Sequence, residues 1–478
     1  MIKKQYDIVV IGAGSGGLTA ARTAAQFGAT VALLEKHKIG GDCLHTGCVP
    51  SKSLIKVARD IHKLGELSKF TNISVGKVRF DDIHNYIHSK IHAIAEDTDN
   101  AASLAKNGVD VVCNTFKFTS KDTVSALDDS MTIQFKKAII ATGSRPRMAE
   151  IPGINESNIL TSDTIWNLTS LPKSLAVIGA GPIGLELGQA FAMLGSKVTV
   201  FEKGDSLLPR FDSIAGDSIA QGLATAGVEV KYMSSITGID HHTTESTLHF
   251  TQNNKSSTIK TEQILLAIGR QPNVANVGLE KAGVKFKADK GIAIDAKLRT
   301  SNKHIYAVGD CVGGPLFTHW AGEQGAAAAI HALTGYATKP DASTLPNVTF
   351  TSPEVAQVGL TKKQLSHKEI SFTEVNVPYS RIDKAIAENA DGNIAVYIDK
   401  KGKILGSLII GENSSELIGY IARLKHKGST LEDFSNGAQA YPTYTIGLKT
   451  LAADIALANA SSNPFVKLVM KVRGFSVQ

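Results

Sequence analysis

Tyr6-Asp7-Ile8-Val9-Val10-Ile11-Gly12-Ala13-Gly14-Ser15-Gly16-Gly17 is the stretch on which the fold turns. Its apolar run reads as a buried strand. Glycines follow, and Leu18 to Phe27 then takes up helical spacing, so the unit is strand, glycine turn, helix. Gly12, Gly14 and Gly17 would let the backbone come close to a pyrophosphate. The start of the helix offers that group unpaired N–H groups and the positive end of a dipole. A second strand, Thr30 to Leu34, delivers Glu35, whose carboxylate suits a ribose diol.

The same pattern returns at Ser174 to Gly181. Gly179, Gly181 and Gly184 lead into a helix, and strand Lys197 to Phe201 ends at Glu202, as far beyond Gly179 as Glu35 lies beyond Gly12. One glycine turn is common to many α/β proteins, but two with the same spacing to an acid imply two dinucleotide sites. The economical assignment is a bound flavin, FAD, and an exchangeable nicotinamide that reduces it. Three more apolar strands run into chain-turning residues: 137–143 into Thr142-Gly143, 263–269 into Gly269, and 304–310 into Gly309-Asp310. An acid at such a strand end sits where ligands bind, so Asp310 is expected to hold a ribityl hydroxyl. Thr318 is expected to cap a helix over 321–333, whose positive end would favour negative charge on a reduced flavin.

Between these units lies Gly40-Gly41-Asp42-Cys43-Leu44-His45-Thr46-Gly47-Cys48-Val49-Pro50-Ser51-Lys52. Pro50 suits the first turn of a helix through 53–64. Cys48 then stands at a helix N-terminus, where the dipole favours thiolate. On a continuous helix, residues five apart are separated by about 140° and about 7.5 Å of rise, too far for a disulfide. A short irregular loop carrying a Cys43–Cys48 disulfide is therefore expected. A metal site or two buried thiols are the alternatives, although no matching cluster of cysteine or histidine supplies further ligands, and no metal is expected. Cys113 and Cys311 read as core cysteines.

Composition bounds the rest. The 478 residues are 43% hydrophobic and 20% charged, enough for three or four folded domains at roughly 100–200 residues each. Lysine and arginine number 51 against 44 acids, a net charge of +7. These cations are scattered without interleaved aromatics, which argues against nucleic acid and fits phosphate-bearing cofactors. No apolar run is long enough for a membrane span, Met1-Ile2-Lys3-Lys4 leads into a strand rather than a signal peptide, and four cysteines do not make a secreted disulfide scaffold. A cytoplasmic location is expected.

Together these segments resemble the class I pyridine nucleotide-disulfide oxidoreductases, the family of dihydrolipoamide dehydrogenase, glutathione reductase and mercuric reductase. The cysteine stretch carries the resemblance most specifically. GAGPIGLELG at 179–188, AIGRQPN at 267–273, YAVGD at 306–310 and FTSPEVAQVGL at 350–360 support it. The resemblance implies an α/β fold with two Rossmann-like dinucleotide-binding domains, for FAD and NAD(P), and a C-terminal α+β dimerisation domain. The boundaries would be 1–150 for the first part of the FAD domain, 151–270 for the NAD(P) domain, 271–343 for the return to the flavin and 344–478 for the domain forming a homodimer. Within the last, 393–398 and 403–410 read independently as a hairpin followed by a helix from Ser415. Carried over by residue, Cys48 would contact the flavin and Cys43 attack the acceptor, with Lys52 paired to Glu186 near the flavin. NADH is favoured over NADPH because Glu202 would bond an unmodified ribose and repel a 2′-phosphate, although Lys203 and Arg210 complicate that preference.

The departures concern the substrate. Where the resemblance implies a His-Pro-Thr histidine and a glutamate five residues on, this chain has Tyr441-Pro442-Thr443 and Ile446. Mercuric reductases carry a tyrosine near that position, but the tail 473–478 lacks their cysteine pair and no metal-binding domain precedes residue 6. The expectation is an NAD(P)H-dependent flavoenzyme reducing a disulfide, a metal ion or a similar small soft acceptor, with a mercuric-reductase-like active site. The alternative is the dihydrolipoamide dehydrogenase component of a 2-oxo acid dehydrogenase complex.

Overall fold

The computed structural model describes residues 2–72, 76–155, 157–336 and 339–476; Val477 and Gln478 of the tail lie outside them. Contacts divide the chain into two units, Met1–Lys203 with Val230–Ala342 and Gly204–Glu229 with Ser343–Gln478.

In the first unit, strand Ile2–Ile11 is parallel to Val31–Glu35 on one side and to Met131–Ile140 on the other. Ile8, Val9 and Val10 have no exposed surface, the expected outcome for an apolar run covered on both faces. Strand Met131–Ile140 serves two neighbours in succession. Its first half pairs antiparallel with Thr123–Ala126, its second half parallel with Ile305–Ala307. A second sheet repeats the plan, with Ser174–Ile178 parallel to Lys197–Phe201 and to Gln263–Leu266. An antiparallel sheet of three strands, 234–241, 246–252 and 255–261, lies in the same unit.

The expected elements form with small shifts. The first helix is Ser15–Gln26 and the one after the second glycine turn is Pro182–Met193. Cys113 is a correction: it is exposed, as the last residue of Val109–Cys113, a strand at the sheet's edge. Cys311 is buried, as expected.

The second unit is α+β. Its five-stranded antiparallel sheet has the order 347–349, 355–359, 404–411, 392–398, 373–378. The expected hairpin is Gly392–Ile398 with Ile404–Gly411, and its helix is Ser414–Lys427. The apolar faces of these strands and of helices 414–427 and 445–462 make one core around Tyr379, Ile394, Ile409, Ile421 and Leu448. Asp212 fastens helix Ser213–Thr225 to the sheet, accepting the Tyr397 hydroxyl at 2.8 Å and the Lys362 N–H at 2.7 Å.

Candidate active site

The two glycine turns are built alike. Gly12 and Gly179 have φ of +101° and +105°. A Cβ on either would lie 2.3 Å from the Ala141 carbonyl oxygen or 2.6 Å from that of Ala267, so a strand end crosses each turn too closely for any side chain. Glu35 accepts the Ala13 N–H at 2.7 Å and Glu202 the Ala180 N–H at 3.2 Å, which sets each carboxylate beside its own turn. Gly14 and Gly41 face each other so tightly that a Cβ on Gly41 would lie 2.7 Å from the Gly14 Cα. Gly17 and Gly184 sit in the first turns of the two helices, and neither Gly14 nor Gly181, the residues before them, caps through a side chain.

Cys43 lies on a single helical turn, Gly41–His45, and Cys48 is the first residue of a long helix, Cys48–Leu67. The break at Thr46-Gly47 is the predicted irregularity, and the helix begins at Cys48 with Pro50 in its first turn, as expected. Both cysteines are free thiols, the reduced form of the pair for which a disulfide is expected. Thr318 is also corrected. It is the first helical residue of Thr318–Thr334, not its cap, and its hydroxyl lies 3.3 Å from the Cys48 sulfur.

Three groups favour a Cys48 thiolate. The Cys43 thiol's hydrogen bond contributes most, followed by the Thr318 hydroxyl and the charge of Lys52; together they hold Cys48 well below the ordinary thiol range against its partial burial. Cys43 is pushed up, chiefly by that same hydrogen bond and then by burial. Of the two thiols, Cys48 is the one favoured to ionise. Lys52 donates to Glu186 at 2.7 Å, and Glu186 is buried on the helix after the second glycine turn.

Sequence reasoning missed the cluster beside this pair. Arg270, in the AIGR segment, donates to the Ser144 hydroxyl at 2.7 Å and to the Ser162 hydroxyl at 3.2 Å, bonds the carboxylate of Asp42, and lies 3.7 Å from Asp163. Ser144 in turn donates to Asp310 at 2.6 Å. Burial, followed by the charges of Asp163, Asp310 and Glu35, raises Asp42 to about 6 against the pull of Arg270, although half of its side-chain surface still meets solvent. The remaining strand-end residues frame this cluster. The Thr142 hydroxyl donates to the Asn273 carbonyl at 2.7 Å, Gly143 accepts from the Asn273 N–H, Gly269 accepts from Arg147, and Gly309 donates to Gln324.

Tyr441 belongs to the second unit, is 68% exposed and donates its hydroxyl to Asp383. That hydrogen bond, more than the charge beside it, raises the phenol above its usual range. Asp383 lies 58 residues away in sequence and no spacing rule points to it.

The residues fit FAD: two facing bare-backbone glycines, an uncapped helix start and an anchored carboxylate make a cradle for pyrophosphate and ribose. Among the described residues, no group of three or more His, Cys, Asp or Glu could hold a metal ion.

Comparison with known proteins agrees with this geometry. Residues 6–325 match the family described as pyridine nucleotide-disulphide oxidoreductase, and residues 345–452 match its dimerisation domain. Dihydrolipoyl dehydrogenase of Geobacillus stearothermophilus is 35% identical over 466 residues, 95% of this chain and 96% of the relative. Mercuric reductase of Lysinibacillus sphaericus is 33% identical over 454 residues, 94% and 82% respectively. Among solved structures, the Cu(II) complex of HOCl-induced flavoprotein disulfide reductase RclA from Escherichia coli has a TM-score of 0.82 at 26% identity, covering 95% of this chain and 100% of that one.

Proposed function

The chain belongs to the FAD-dependent pyridine nucleotide-disulphide oxidoreductases, and from that premise we propose that it uses NAD(P)H, NADH in preference, to keep Cys43 and Cys48 reduced for delivery of electrons to a disulfide, a soft metal ion or a similar acceptor. One observation carries the reading. Cys48 begins a helix, with the Thr318 hydroxyl and Cys43 against its sulfur and Lys52 contributing its charge.

Bound FAD would relay the electron pair of a nicotinamide hydride to the cysteine disulfide. Gly12, Gly14, Gly17, Gly41 and Glu35 would hold its pyrophosphate and adenosine ribose, with Thr142, Gly143, Gly309 and Asp310 lining the rest. Gly179, Gly181, Gly184, Glu202 and Gly269 would hold the nicotinamide cofactor. The chain's own residues then manage protons. The reduced pair holds its negative charge on Cys48, where Thr318 and Lys52 stabilise it, and its proton on Cys43. Loss of that proton to solvent water frees the Cys43 sulfur to attack a disulfide acceptor. One acceptor thiolate leaves and a mixed disulfide forms. Cys48 then attacks the Cys43 sulfur, which closes the intramolecular disulfide and expels the second thiolate. Each departing thiolate needs a proton. Tyr441 of a second subunit, at the position where the resemblance implies a histidine reaching the partner's active site, is the proposed donor, regaining its proton from water between the two departures.

Anaerobic reduction with NADH followed by an acceptor screen tests the proposal. Rapid reoxidation by disulfides or thiol-binding metal ions, lost in Cys43→Ser, is the expected outcome. Reoxidation by dioxygen alone overturns it. The lipoamide reading has the first relative named above in its favour, and dihydrolipoamide turnover at the rate of histidine-bearing relatives would establish it instead.

A further inference from the structure

We propose that helix Pro464–Val472, with the turn after it, docks the protein on an anionic lipid bilayer surface. The helix is locally well specified: Pro464 occupies its first turn, and Asn463 caps it by accepting the Phe465 N–H at 2.9 Å. None of its residues is buried. Phe465, Leu468, Val469 and Val472 stand at i, i+3, i+4 and i+7, one face of a helix, and Phe465, Leu468 and Val472 are 72%, 58% and 79% exposed. Phe475, also exposed, extends the face past the helix end.

Charge indicates what covers this face. From Ile455 onward the sequence has no aspartate or glutamate, and the charged residues of the segment are Lys467, Lys471 and Arg473. An apolar face with cations on the rest of the helix and just past its end is complementary to acyl chains beneath anionic headgroups. A second copy suits it less well, because a two-fold contact through the same patch would bring like charges together. The segment also lies beyond residues 345–452, the part that matches the dimerisation domain. Nine residues of helix rise about 14 Å, under half of a hydrocarbon core of roughly 30 Å, so the element would lie in the interface rather than span it.

Co-sedimentation of the full-length FAD-loaded protein with lipid vesicles tests this. At low ionic strength the protein should sediment with phosphatidylcholine vesicles containing about one-third phosphatidylglycerol, remain in solution with phosphatidylcholine alone, and be released by high salt. Phe465→Ser with Val472→Ser should weaken partitioning about tenfold, and Lys471→Glu with Arg473→Glu should remove the preference for the anionic lipid. Both variants should retain NADH-dependent dye reduction, which shows that they fold. Wild-type protein that ignores anionic vesicles, or variants that bind as it does, would overturn the proposal. So would a wild-type assembly that falls apart in Phe465→Ser without lipid, because the face would then belong to a second copy.

Discussion

At Cys48 a hydrogen bond from Cys43, a hydroxyl and a cation all favour the anion, and the consequence is spectroscopic. Two-electron reduction should give a long-wavelength band from the Cys48 thiolate against oxidised flavin. Cys48→Ser should abolish it, and Cys43→Ser should show it without reductant; a band that survives Cys48→Ser means the roles are reversed. Because the Cys48 pKa is depressed, the band should persist through neutral pH and fade only on acidification. Lys52→Met with Glu186→Gln removes the cation without leaving a buried carboxylate unpaired; because Glu186 opposes Lys52 at Cys48, the midpoint should rise only by a fraction of a pH unit, roughly a few tenths. At Tyr441 the bond to Asp383 holds the phenol protonated, so it can give a proton but scarcely take one. Dihydrolipoamide oxidation needs a base, and it should run about 10²- to 10⁴-fold slower than in histidine-bearing relatives. Tyr441→His with Ile446→Glu should recover more of that rate than Tyr441→His alone, measured as kcat for dihydrolipoamide.

The two glycine turns make the element-scale prediction, since they share one geometry and are assigned different cofactors. Gly12→Ala forces a Cβ against the Ala141 carbonyl, in a left-handed conformation that costs L-residues about 1–2 kcal/mol, and should yield protein with little bound flavin. Gly179→Ala should keep the yellow colour yet raise KM for NADH sharply. Equal flavin loss in both would contradict the assignment, and Glu202→Ala should shift kcat/KM toward NADPH. These turns were legible in the sequence because their requirements are local: a strand, a glycine at positive φ and an acid at the next strand end lie within one short stretch. The helix start at Cys48 was legible through Pro50 for the same reason. Thr318 was misread as a cap because its hydroxyl answers to Cys48, 270 residues away. Arg270, Asp42 and Asp163 were overlooked because three segments distant in sequence meet there, and Cys113 was read as core because the sequence does not show that its strand lies at the sheet's edge.

For the whole molecule, the match to a dimerisation domain makes the homodimer the expected unit, and Tyr441 is proposed to act on the neighbouring subunit's cysteines. Homodimers of Cys43→Ser and of Tyr441→Phe, each impaired in disulfide reduction, should therefore complement on subunit exchange. Random mixing gives roughly a quarter of wild-type activity, because half of the dimers then hold one intact site. No gain above the mean of the parents would place Tyr441 in its own subunit's site or outside catalysis. Strand Met131–Ile140 carries a different consequence, one of timing. Its second half waits for Ile305–Ala307, about 170 residues later, which at 5–20 residues per second leaves the ribosome with an open sheet edge for on the order of ten to thirty seconds. During that interval the nascent chain presents an unpaired row of backbone donors and acceptors next to the first glycine turn. Stalled chains ending before Ile305 should thus be cut by protease near 138–142 and should engage chaperones, whereas chains long enough to free Ala307 from the exit tunnel should resist both.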